Sequence, residues 1–117
     1  MALCQTLDVT NEFVAGNGYT IDMSNWDNAV WQFVAPSGTI DTTSSNDGGA
    51  IQGSTDGNSK SALNFQTIQV TKLSDGTAVT TVAAAGLFRN GVVGRYVRFG
   101  GSGATATKVI VMLHKVS

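Results

Sequence analysis

A chain of 117 residues has room for one hydrophobic core and not for two. Gly, Ser, Thr and Asn supply 46 of those residues and charged residues only 13%, which suits a turn-rich β protein and excludes a helical bundle, a coiled coil and a disordered chain. A net charge of −1 excludes bulk attraction to nucleic acid or to an anionic membrane surface, and no apolar run approaches the roughly 20 residues of a membrane helix.

Met1-Ala2-Leu3-Cys4 lacks the charged start and apolar run of a secretion signal. Residues 1–25 read either as an extra strand pair or as an arm reaching a neighbour. Cys4 is the single cysteine, so no internal disulfide framework exists. Its expected role is a small buried hydrophobe, ahead of an exposed thiol or an intermolecular link. Gly16-Asn17-Gly18 marks a turn, and Ser24 to Val30 fits one helical turn capped by Ser24 or Asn25.

Trp31 and Phe33 alternate with Gln32, the period of a strand that Pro36-Ser37-Gly38 ends. Asn46-Asp47-Gly48-Gly49 and Thr55-Asp56-Gly57-Asn58 are turn signals. Phe65, Thr67, Gln69 and Thr71 share one face of the next predicted strand, with Gln66, Ile68 and Val70 on the other. Ser74-Asp75-Gly76 turns the chain again. Ala83-Ala84-Ala85 could start a helix, but Gly86 and the β-branched run before it favour a strand ending in a bend.

Asn90-Gly91 is a further turn, and Tyr96-Val97-Arg98-Phe99 reads as a strand with Arg98 outward or at an interface. Tyr96 and Phe99 are three apart and cannot share a face. Gly100-Gly101-Ser102-Gly103 is a loop. Val109 to Leu113 is continuously apolar, as in a strand covered on both faces. The fold class is therefore all-β: residues 1–117 form a single domain, an antiparallel β-sandwich or jelly roll of about eight short strands.

The charges are sorted along the chain. Asp8, Glu12, Asp22, Asp27, Asp41, Asp47 and Asp56 precede residue 60, with no Lys or Arg among them. Lys60, Lys72, Arg89, Arg95, Arg98, Lys108 and Lys115 follow, with Asp75 the only acid. Either the halves interleave and neutralise locally, or opposed faces favour one docking register between copies.

The inventory for catalysis is thin. His114 is the only histidine and sits in the last apolar run. It meets Cys4 only if the termini pair, and nothing in the spacing demands that. Asp41, Asp47 and Asp56 do not follow a calcium-loop spacing, and Asp47 and Asp56 each precede the Gly that a turn requires. Gly100 to Gly103 lacks the Gly-Lys-Ser/Thr ending of a phosphate cradle. No enzyme, cofactor or metal is expected. Trp31, Phe33, Tyr96 and Phe99 read mostly as core. Trp26, among Asn25, Asp27 and Asn28, is the aromatic best placed to meet a glycan.

The order of motifs then matters more than any one of them. Trp31-Gln32-Phe33-Val34 precedes Pro36-Ser37-Gly38-Thr39-Ile40 and Gly53-Ser54-Thr55-Asp56-Gly57. Thr77-Ala78-Val79-Thr80-Thr81, Gly86-Leu87-Phe88-Arg89, Gly94-Arg95-Tyr96-Val97-Arg98 and a last strand, Thr107 to Leu113, follow. Over residues 29–115 this resembles the small β-sandwich virion modules of tailed bacteriophages, found in capsid decoration proteins, head fibres and tail or baseplate attachments. The resemblance implies a virion structural protein on the capsid exterior, made in the host cytoplasm, with the major capsid protein and copies of itself as partners. It implies no catalytic residues. Leu3, Phe13, Arg89, Arg95 and Arg98 are the expected contacts. The alternative is a fibre, tail or baseplate module binding a host surface polysaccharide.

Overall fold

The computed structural model describes residues 2–14, 18–36, 51–55, 65–80, 82, 85–99 and 106–116. Within them β-branched and aromatic runs, broken by Gly, Asn and Asp, form ten strands in two antiparallel sheets. The larger sheet has the order β1 (Ala2–Asp8), β10 (Ala106–Val116), β3 (Asn28–Pro36), β8 (Gly86–Asn90), β6 (Val70–Lys72) and β7 (Thr77–Val79). The smaller has the order β2 (Tyr19–Asp22), β9 (Tyr96–Phe99), β4 (Ile51–Ser54) and β5 (Gln66–Thr67). A five-residue helix, α1 (Thr10–Val14), joins β1 to β2.

Period-two alternation decides which face is inside. On β3, Ala29, Trp31 and Phe33 are buried, and on β10 so are their register partners Leu113, Val111 and Val109. Phe99 of the smaller sheet stacks on Trp31, with ring centroids 4.0 Å apart and planes at 18°. That contact ties the two sheets together. Phe13 of α1 adds edge-to-face contacts to Phe33 at 5.5 Å and to Trp31 at 6.5 Å. The indole N–H of Trp31 is also satisfied, donating to Asn90 Oδ1 at 2.7 Å, while Asn90 Nδ2 donates to the Gly91 carbonyl at 3.0 Å.

One local device occurs three times among the described residues. Asp8 Oδ1 accepts from the N–H and hydroxyl of Thr10, and Asp75 Oδ1 does the same from Thr77. Asp22 Oδ1 accepts from the N–H of Ser24. Each Asp-x-Ser/Thr turns the chain at the end of a strand or into one by satisfying a backbone donor locally. These bonds, led at Asp8 and Asp75 by the Thr hydroxyl and at Asp22 by the Ser24 N–H, hold all three carboxyls below their ordinary pKa.

Several expectations change. The described residues hold ten strands rather than about eight, because the predicted strand over residues 65–71 is two short ones. Gln66–Thr67 pairs with β4 in the smaller sheet, and Val70–Lys72 pairs with β7 and β8 in the larger. Phe65 and Val70 are both buried, five residues apart, which a single half-buried strand cannot provide. Residues 1–25 supply two strands that do not pair with each other, since β1 joins the larger sheet and β2 the smaller.

Ser24 and Asn25 form a turn rather than a helical cap, with the Trp26 N–H donating to the Met23 carbonyl at 3.1 Å and β3 starting at Asn28. Cys4 is exposed, not buried, because it lies on the outer side of an edge strand. On β10 only one face is covered: Val109, Val111 and Leu113 are buried while Met112 is exposed. The readings at Asp41, Asn46 to Gly49, Asp56, Ala83, Ala84 and Gly100 to Gly103 fall outside the described residues.

Candidate functional surface

Cross-strand partners in an antiparallel sheet point to the same face. The register of the larger sheet therefore lays out its outer face row by row. One row runs Thr6, Met112, Val30, Arg89, Thr71, Ala78. The next runs Asp8, Ile110, Gln32, Leu87, and a third holds Lys108 and Val34. Met112, Leu87 and Val34 are exposed, and Val30 and Ile110 half-buried. An apolar stripe thus crosses the middle of an open sheet, with Arg89 within it and Lys108 beside it. Exposed apolar patches of this kind mark interaction surfaces.

The structure divides the predicted contact residues. Leu3 stands on β1 and is 52% exposed. Arg89 is exposed on the open face. Arg95 is exposed too, but it is tied down: its Nη2 lies 3.2 Å from Asp22 Oδ2, and its guanidinium sits 5.1 Å from the Tyr96 ring. The Asp22 carboxylate raises the Arg95 pKa further. This pair joins the acidic and basic halves of the chain across β2 and β9, which is local neutralisation.

Phe13 and Arg98 are not surface contacts. Phe13 is 0% exposed, because α1 turns it into the aromatic core. Arg98 points outward from the smaller sheet, as the alternation predicts, yet it is 3% exposed. Its Nε and Nη2 donate to Gln52 Oε1 at 2.8 and 2.6 Å, and its guanidinium lies 3.9 Å from the Phe65 ring centroid. A charge buried this way is held by its partners within the chain.

Trp26 is half-buried and packs against the core cluster, so only part of its ring faces solvent. The termini do pair, and Cys4 stands opposite His114 in the β1–β10 register. His114 Nδ1 lies 3.4 Å from Asn28 Nδ2, and these side chains share the open sheet face.

No protein-family model and no curated protein matches the sequence. The fold, in contrast, has a solved counterpart. The chain is similar to the crystal structure of the SPBc2 prophage-derived protein YomS, with a TM-score of 0.61 over 98% of this chain and 96% of that one. Sequence identity is 7%, so what the two share is the fold. That fold occurs, at nearly the same length, in a protein of phage origin.

The Asp-x-Ser/Thr turns and the open face of the larger sheet are the features that composition and turn signals do not reveal. The first has a legible signal, the spacing of two from Asp to a hydroxyl residue. The second needs the strand order.

Proposed function

We propose that this chain is a phage virion structural protein, an auxiliary protein that decorates the outside of the capsid and reinforces the shell without catalysis. The observation that carries the reading is the near full-length likeness to a prophage-derived protein of the same fold. The ordered motifs over residues 29–115 and the open apolar stripe support it.

The outer face of the larger sheet docks on the shell. Met112, Leu87 and Val34 supply apolar area, and Arg89 biases its part of the face toward an acidic partner group, while Lys108 shares the face with Asp8. Binding across joints between capsid subunits stabilises the assembled shell by mass action, because the bound protein favours the closed state over the disrupted one.

The test is occupancy. Purified chain is added to shells that lack it, and bound protein is measured by co-sedimentation alongside the temperature of shell disruption. Saturable binding and a raised disruption temperature are expected, and both fall for Leu87→Asp and Arg89→Glu. Absence of binding to any shell component, or full occupancy by both variants, refutes the reading.

A further inference from the structure

The two sheets have four edges, and they are not alike. Among the described residues β7 is three residues long, β5 two and β2 four. The fourth edge, β1, runs for seven residues, and no described strand pairs with its outer side. Its register with β10 is one-to-one from Ala2–Val116 to Asp8–Ile110, so no bulge twists it away. Its sequence, Ala-Leu-Cys-Gln-Thr-Leu-Asp, has no Lys, Arg, Pro or Gly. Lys, Pro and a bulge, three common devices that keep an edge strand from pairing, are missing from it.

Hydrogen-bond parity shows which groups are on offer. The Val9 N–H donates to the Val109 carbonyl at 2.9 Å, continuing the same ladder. Residues in phase with Val9, namely Leu7, Gln5 and Leu3, thus turn their backbone groups toward β10. Ala2, Cys4, Thr6 and Asp8 turn theirs to the open edge.

We infer that β1 pairs antiparallel with β1 of a second copy of this chain, across a two-fold axis at Gln5, and joins two larger sheets into one. Three observations select this occupant and register. Pairing Cys4 with Thr6 and Ala2 with Asp8 of the second copy matches all four outward residues with outward residues, for about eight backbone hydrogen bonds. The same register sets the exposed Leu3 against Leu7 of the second copy, in a pair where side chains approach closely. The single charge on the strand, Asp8, lies at one end, so antiparallel pairing keeps the two carboxylates apart while parallel pairing stacks them. Isologous contacts of this kind close on themselves as dimers. The inference concerns the chain alone and is independent of the virion reading.

Sedimentation and cross-linking test it. The wild-type chain is expected to sediment as a dimer at micromolar concentration. Thr6→Pro removes an outward N–H and no bond to β10, so it is expected to sediment as a monomer with an unchanged circular dichroism spectrum. Leu3→Lys, at a position that is 52% exposed, is expected to do the same and covers the case in which the proline variant fails to fold.

The register has its own readout. Thr6→Cys places a thiol opposite Cys4 of the second copy, at the roughly 5.5 Å Cα separation that a disulfide spans. That variant is expected to form a covalent dimer under mild oxidation. Cys4 alone lies about 8 Å from its own copy and stays unlinked. A wild-type monomer overturns the proposal and leaves the edge to a strand of another protein. A dimer that survives both Thr6→Pro and Leu3→Lys, or a Thr6→Cys chain that does not cross-link, overturns it equally.

Discussion

Replacing Phe13 with Ala separates a core role from a contact role at one position. Phe13 is 0% exposed and makes two edge-to-face contacts, with Phe33 at 5.5 Å and Trp31 at 6.5 Å. Burying a Phe side chain contributes about 1.5–3 kcal/mol, and each such aromatic pair adds about 0.5–1.5 kcal/mol. Truncation also leaves a cavity that the rigid neighbouring rings do not fill, so the expected loss is about 3–5 kcal/mol. A domain of this length has about 6–18 kcal/mol in total, so the loss is a large fraction. Urea titration at fixed protein concentration reads it directly, as a fall in midpoint at constant slope. Glu12→Ala, on the exposed side of the same helix, is the control and should change stability by less than about 0.5 kcal/mol. A loss below about 1 kcal/mol for Phe13→Ala refutes the placement of α1 against the core and returns Phe13 to the surface.

Other sites carry equally direct expectations. Asn90→Ala leaves the buried Trp31 indole N–H without its acceptor and should cost about 1–3 kcal/mol by the same titration, whereas no loss refutes that bond. Gly94 has φ +137°, and a Cβ there would lie 2.8 Å from the Ser54 carbonyl oxygen, while a Cβ on Gly91 meets nothing within 4 Å. Gly94→Ala should therefore destabilise by at least about 1–3 kcal/mol and Gly91→Ala far less, measured as a difference in melting temperature. Asp8, Asp22 and Asp75 have folded pKa values held down by hydrogen bonds, so the unfolded chain takes up protons first as pH falls. Their contribution is complete above the unfolded carboxylate value of about 3.9 and is lost as pH drops through the lower folded values. Carboxyl chemical shifts should titrate below that value at all three positions, and ordinary values there contradict the Asp-x-Ser/Thr turns.

Much of the fold is legible in the sequence because alternation and turn residues act locally. The strands around Trp31 and Tyr96 follow from alternation, the strand from Val109 follows from its continuous apolar run, and the all-β class follows from composition. What fails has a common cause: local patterns do not report strand order. The chain crosses between sheets at Ile68 and Gln69, where an unbroken alternation suggests one strand. Val109 to Leu113 looks doubly covered, yet Met112 faces an open surface because β10 lies between β1 and β3 with no described element over that face.

The surface was partly legible for the same reason. Arg residues look like contacts from charge alone, but Arg98 is enclosed by Gln52 and Phe65, side chains brought to it by other strands. Leu3 and Arg89 do stand exposed, and only the register shows that Arg89 sits within an apolar stripe. Cys4 misleads because small apolar residues at a strand start are read as buried, while an edge strand exposes one side.

A decoration protein is present in the particle at a copy number close to that of the shell protein it covers. If the proposed role holds, a phage encodes this chain, and quantitative mass spectrometry of that phage's purified particles compares copies of the chain with copies of the major capsid protein. A ratio comparable to that of the shell protein is the predicted result. A few copies per particle move the chain to a fibre, tail or vertex and contradict shell decoration, and its absence from the particle contradicts a virion role altogether.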